Sequence, residues 1–291
     1  MHIRSYDDPI STNWAFEREY GRKVRALLTR DPINRGPAHA TKDETMASTH
    51  ELMHLREVFL VDQEPAAWQE TIKPSLPWAE DHFQERVGGE PLNPAPSEAW
   101  WPFARQGNAE HKKDAVFSHT YPERFWPKRA GLPDDYCPYP DSCTVEEHRD
   151  HWGIRFKYGD LNDLLTVLKK NKMSRQAYLP VWFPEDLTAA AEGERVPCSM
   201  GYHFICDGAS GELDCVYSMR SCDIVRFYRD DIYMAGRLLQ WVAEKTEARV
   251  GSLIVHIDNL HCFPGDRLFL ESFLPKTQAD KRAGYNFGAL G

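Results

Sequence analysis

Cys198 stands directly after Pro197 in Val196-Pro197-Cys198-Ser199-Met200, where a loop runs into a strand-like stretch. A thiol presented at such a junction is suited to act as a nucleophile, provided that nearby positive charge favours the thiolate. Taken alone, a cysteine of this kind is more often a small buried hydrophobe. Its company in the chain shifts that balance. Twenty-two residues on comes Arg220-Ser221-Cys222-Asp223. Upstream lies Ser174-Arg175-Gln176, leading into Trp182, and downstream lies His261-Cys262-Phe263.

Other residue types invite a chemical reading. Glu57 is followed by the apolar run Val58-Phe59-Leu60-Val61. Partial burial there would suit a carboxylate that handles protons, the alternative being a solvated helix residue. Trp78 and Trp182 could line a cavity or simply fill the core. Asp230 and Asp231 precede Ile232, where an aspartate commonly caps a helix. A cysteine hydrolase would need a histidine beside Cys198, for which His203 and His261 are available.

These residues must be positioned by regular elements. Residues 12–30 mix apolar and charged positions and predict a first helix, and residues 31–48 read as loop. Leu52, Leu55, Val58 and Phe59 fall at helical spacing and predict a helix over 49–62. Residues 85–150 are proline-rich with short apolar stretches, and predict an irregular insertion. Leu161, Leu164, Leu165 and Leu168 predict another helix. Strands are expected at 177–183, 201–207, 213–220 and 252–258, with a long buried helix over 232–246. Strands with segregated helices indicate an α+β fold in one domain spanning residues 1–291.

Bulk properties exclude several classes. The chain has 291 residues, a net charge of -9 and no long basic tract, so a nucleic acid polymer is not expected as a partner. No apolar run approaches the roughly 20 residues of a membrane span, and the first residues lack the apolar core of a signal peptide. A cytoplasmic protein of a bacterium or phage-infected host is expected. Seven cysteines without a framework of spacings read as mostly free thiols; Cys137 and Cys143 are too weak a pair to argue zinc, and no metal is expected.

The ordered motifs resemble the thymidylate synthases: Ser-Arg before a strand ending in Trp, then Pro-Cys, then Arg-Ser-x-Asp, then His-x-aromatic. The resemblance covers roughly residues 158–266, with Glu57 in the family's acidic position and Trp78 beyond it. It implies a large mixed sheet packed on a long buried helix, with two such sheets back to back in a homodimer. It implies that Cys198 adds to C6 of a pyrimidine and makes C5 a nucleophile toward the methylene of 5,10-methylenetetrahydrofolate. Glu57 and Asp223 would be the other catalytic residues. Arg220 and Ser221 would hold the 5′-phosphate of a nucleoside monophosphate, and Arg175 would reach the partner subunit's phosphate. Arg35 is a candidate for a further phosphate ligand. Trp78 and Asp223 would face the folate, and Trp182 and His261 the nucleotide. Gln176 and Phe263 depart from the family's usual Arg and Tyr.

The family places an asparagine eight residues after the Asp of Arg-Ser-x-Asp, and here that position is Asp231. A carboxylate accepts from the 4-amino group of cytosine, whereas the amide suits uracil. The resemblance is therefore to the cytidylate hydroxymethylase branch, with dCMP favoured and CMP possible. A one-residue slip would put Asp230 in the same role. Only 30 residues follow His261, ending Asn286-Phe287-Gly288-Ala289-Leu290-Gly291, unlike the tail that closes the synthases against water. Hydroxymethylation is expected accordingly. The alternatives are C5 methylation of dCMP or dUMP, and a nucleotide-binding homologue without activity.

Overall fold

A computed structural model of the protein describes residues 13–35, 48–104, 112–113, 115–130 and 158–274. Cys137, Cys143, much of the proline-rich insertion and the C-terminal segment lie outside those residues. The helix α1 (Asn13–Leu28) is followed by the strands β1 (Ile33–Asn34) and β2 (Ser48–Leu60) and then by the helices α2 (Pro65–Ile72) and α3 (Trp78–Val87). The insertion contributes a 3-10 turn (Pro96–Trp100), the hairpin β3 (Lys112–Lys113) and β4 (Val116–Phe117), and α4 (Tyr121–Phe125). Next come α5 (Leu161–Lys170), β5 (Tyr178–Pro180) and α6 (Glu185–Ala191). Then follow β6 (Ser199–Cys206), β7 (Glu212–Met219), β8 (Cys222–Asp223), α7 (Tyr228–Lys245), β9 (Arg249–Cys262) and α8 (Arg267–Glu271).

The main sheet has the order β1-β2-β9-β7-β6-β5, with β8 also on β9. It is mixed: β7 and β8 run parallel to β9, while the other neighbours are antiparallel. Along β6, β7 and β9 burial alternates with the strand period of two. One face therefore packs on helices. The other carries Ile205, Val216 and Ile254 in half-buried positions.

The helix α7 lies under the packed face. It is buried nearly all round, with Ile232, Ala235, Leu239 and Val242 all but inaccessible, as expected of a central helix. Gly236 faces the Trp68 indole, where a Cβ would collide, and Trp68 Nε1 donates to the Tyr233 carbonyl at 3.0 Å. The spacing that predicts α5 is matched by Leu161, Leu164, Leu165 and Leu168, all buried, and a capping box of Asp160 and Asp163 starts the helix.

The helix expected over 49–62 is instead the strand β2. It pairs with β9 from His50↔Cys262 to Leu60↔Ser252. The misleading feature is His54, in left-handed backbone with φ 56°. It interrupts the pleat, so that Thr49 to Leu52 are all buried and the apolar positions beyond them mimic a period near 3.6. The strand expected over 177–183 shortens to Tyr178–Pro180.

Candidate active site

The C-terminal end of β7 and the N-terminal end of β6 lie side by side, and this brings Arg220 to Cys198. Arg220 N–H donates to the Cys198 carbonyl at 2.9 Å. Its guanidinium donates to the carbonyls of Pro197 at 2.8 Å and Val196 at 3.0 Å, and Nη2 lies 4.0 Å from Cys198 Sγ. Trp182 forms a face under the same guanidinium, 5.6 Å from its centre. Burial pushes the Cys198 thiol up, Arg220 and Arg195 pull it down, and Asp231 pushes it up again. The net direction is upward, so the positive charge of Arg220 does not by itself produce a resting thiolate.

Around the thiol runs a chain of hydroxyls. Ser199 Oγ shares hydrogen bonds with Tyr121 at 3.0 Å and Tyr217 at 2.6 Å. Tyr121 comes from α4 in the insertion, a region to which the sequence assigns no function. Its signal was local: Thr120 and Glu123 form a capping box that fixes where α4 starts.

Asp231 occupies the first turn of α7. Its charge acts on Cys198, Tyr121 and Tyr217, so it belongs to the same cluster. Burial holds its carboxyl up to about 7, with Arg86 pulling down and Asp230 pushing up. No side-chain hydrogen bond joins it to another described residue. Asp230, by contrast, accepts from Ser75 N–H at 2.7 Å and ties α7 to the loop before α3. The two aspartates thus divide the roles of structural tie and free carboxyl.

A second group of side chains is fully paired. Ser221 Oγ lies 3.2 Å from His261 Nδ1. Asp223, opposite His261 where β8 meets β9, accepts from the N–H groups of Val225 and Arg226 and from the Arg226 guanidinium at 2.8 Å. Arg226 also grips Asp266 with both arms of its fork. Glu57, on the core face of β2, is held by the Lys23 ammonium of α1 and by Tyr228 Oη at 2.6 Å. The proton-handling carboxylate expected there is therefore a buried ion pair in this state, and Lys23 is the partner that sequence reading missed. Arg35 forks onto Glu51 at 3.0 and 2.6 Å, and Glu51 faces His261 across the β2–β9 pair. Arg175 stands apart, exposed before β5, with its carbonyl within 3.0 Å of His203 Nε2.

Trp78 opens α3 and stacks on His82 at 5.2 Å; Trp101 stacks on Phe227 at 5.2 Å with an interplanar angle of 15°. Both indole N–H groups are buried with no acceptor among the described residues. Stacking faces with unsatisfied donors beside them suit a flat heteroaromatic ring. Next to them, Phe103, Phe227 and Asp230 help line a cleft of about 160 Å³. No cluster of three or more His, Cys, Asp or Glu side chains among the described residues could hold a metal ion. No helix among them is long and apolar enough to cross a membrane.

A comparison with curated proteins finds the thymidylate synthase of Rhodopseudomonas palustris (strain BisA53), 28% identical over 107 residues. The match covers 37% of this chain and about a third, 35%, of the relative's length. The family model described as Thymidylate synthase matches residues 128–280, which hold Cys198, Arg220, Ser221, Asp223, Asp231 and His261. With more than half of its length matched, and with the mixed sheet on its buried helix, the chain belongs to the thymidylate synthase family.

Proposed function

We propose that the protein transfers a one-carbon unit from 5,10-methylenetetrahydrofolate to C5 of a cytidine 5′-monophosphate, giving the 5-hydroxymethyl nucleotide. dCMP is the favoured substrate. The observation that carries this reading is the free, buried carboxyl of Asp231 beside Cys198. A buried acceptor without a donor is costly, and the 4-amino group of cytosine supplies two donor hydrogens.

Arg220 and Ser221 hold the 5′-phosphate at the end of the sheet, with His261 on the sugar side. Cys198 Sγ adds to C6, and the electron pair of the C5–C6 double bond moves to C5. Because the resting thiol is protonated, its proton must leave first, and the hydroxyl chain of Tyr121, Ser199 and Tyr217, whose Tyr121 feels the charge of Cys198, is the relay in this reading. The folate, when bound against Trp78 and Trp101, supplies the electrophilic methylene carbon. After C5 has attacked the methylene carbon and lost its proton, the bond from that carbon to the folate nitrogen breaks with tetrahydrofolate as leaving group. Water then adds to the exocyclic methylene, and as the C5–C6 double bond re-forms Cys198 is expelled from C6. Glu57, screened by Lys23 and Tyr228, orients water and does not act as an isolated base.

The assembly is a homodimer in this reading. The half-buried apolar face with Ile205, Val216 and Ile254 supports sheets packed back to back, and the exposed Arg175 is available to a partner's phosphate site. Mixing inactive Cys198→Ala subunits with inactive Arg175→Glu subunits then restores part of the activity. Light scattering that reports a monomer at micromolar concentration sinks this assembly.

The deciding experiment incubates the protein with CMP, dCMP, UMP or dUMP and methylenetetrahydrofolate, and reads product masses. A hydroxymethyl adduct on dCMP is expected. Methylation of dUMP alone would overturn the cytidine assignment.

A further inference from the structure

Asp231 alone leaves a gap in base recognition. The edge of cytosine offers a 4-amino donor, then the N3 acceptor, then the O2 acceptor. Ionised, the carboxylate only accepts and takes the amino group but not N3; protonated, as a value of about 7 allows, it also donates to N3. In both forms O2, at the far end of the edge, is left without a donor. Some donor must serve the rest of the edge.

The helix α3 carries one. Trp78, His82 and Arg86 recur every four residues and share a buried face. Arg86 is only 3% exposed. Its Nε is buried with no acceptor, and no hydrogen bond or ion pair joins its guanidinium to any described residue. Guanidinium groups are rarely buried without a partner, because they carry five N–H donors and a permanent charge. The guanidinium carbon lies 4.1 Å from the centre of the Tyr121 ring. The Tyr121 hydroxyl in turn meets Ser199, next to Cys198. Asp231 feels the charge of Arg86 yet forms no ion pair with it. His82 is no competitor for that carboxyl, since burial and Arg86 hold its imidazole at about 4 and hence neutral. Asp230 is tied to Ser75. A buried cation and a buried carboxyl thus stand near each other, neither side chain with a hydrogen-bonding or ion-pair partner among the described residues.

We infer that Arg86 is a second base-reading residue, donating to N3 and O2 of cytosine while Asp231 accepts from the 4-amino group. This inference rests on the cytidine reading above. Uracil is mismatched twice by this pair: O4 meets a carboxylate, and N3–H meets a donor. Two unmatched polar groups in a closed site discriminate far more than one. Tyr121 holds the plane of the guanidinium, which links base recognition to the hydroxyl chain beside the nucleophile.

The test uses dCMP and dUMP as probes, with affinities measured by calorimetry for wild type, Arg86→Met, Arg86→Lys and Asp231→Asn. Arg86→Met is expected to lower dCMP affinity by about tenfold or more while changing dUMP affinity much less. Arg86→Lys, which keeps the charge, recovers part of the loss. A second measurement needs no variant: dCMP labelled with ¹⁵N at N3 is titrated with wild-type protein. A hydrogen bond from Arg86 moves the N3 resonance upfield by less than full protonation does. If wild type prefers dCMP and depends on Asp231, but both Arg86 variants keep that preference, Arg86 is not a base reader and the cytidine reading stands. An unshifted N3, or one shifted as far as a protonated base, overturns the inference in the same way. If wild type prefers dUMP, the cytidine reading itself falls and Arg86 with it.

Discussion

The two ends of the site differ in how their polar groups are satisfied. At one end lie Glu57, Ser221, Asp223, Glu51 and Arg35, each already bonded to Lys23, Tyr228, His261, Arg226 or one another. At the other, Asp231, Arg86 Nε, Trp78 Nε1 and Trp101 Nε1 lack partners among the described residues. The first end is assembled by the fold itself. The second keeps its hydrogen-bonding capacity for something else. The general lesson is that paired groups contribute to stability and unpaired ones cost it, so the two kinds respond oppositely to substitution.

The largest effect is expected where the ends meet. Cys198→Ala should abolish product formation while nucleotide binding persists, since phosphate and base contacts do not need the thiol. Turnover in that variant would hand the nucleophile's role to another thiol such as Cys222. At the paired end, Lys23→Met removes the ammonium that balances buried Glu57, and should destabilise the protein by about 3 kcal/mol. Chemical denaturation measures this; an unchanged midpoint would mean that Tyr228 alone satisfies Glu57.

Asp231→Asn should behave in the opposite way. Its folded carboxyl is raised from 3.8 to about 7, so ionising it costs stability. That cost is absent below pH 4, grows as pH rises through the two values and is complete above about 7. The variant should therefore gain at most about 4 kcal/mol over wild type at pH 8 and nothing at pH 4. Substrate preference should move toward uridine nucleotides by about 1–3 kcal/mol, mainly in kcat/KM. A stability difference that does not change with pH would remove the burial argument for Asp231.

The smallest effect belongs to Arg35. Its fork holds Glu51 down at about 2, so the pair stabilises above the ordinary carboxylate value and is lost as pH falls toward 2. Because the Arg35 side chain is more than half exposed and screened by solvent, Arg35→Ala should cost little stability at pH 7. Loss of nucleotide binding well beyond that stability change would make Arg35 a phosphate ligand that swaps Glu51 for substrate.

What the sequence reveals follows the same division. Regular periods carry through: α5 and α7 show their apolar spacing, and the strands β6, β7 and β9 their alternation. The helix expected over 49–62 fails because one residue, His54, breaks the pleat of β2 and alters the apparent period. Site residues on short ordered motifs are legible because their neighbours in sequence are also their neighbours in space. Lys23, Tyr121 and Arg86 are not, because Glu57 and Ser199, to which the first two bond, and Asp231, whose carboxyl feels the charge of the third, lie far along the chain. Only the four-residue recurrence of Trp78, His82 and Arg86 hints that α3 turns a charged residue inward.

The pairing of β2 with β9 has a kinetic side. Leu52 meets Leu260, 208 residues away, and Glu57 meets Val255. Closing so long a loop comes before any contact within it can be rewarded, so folding is expected in the slow range, about milliseconds to seconds. During synthesis Glu57, Cys198 and Asp231 all leave the ribosome before β9, the strand that joins β2 to β7 in one sheet. Until it arrives, β2 and β7 each present an unpaired edge, the feature most open to wrong association.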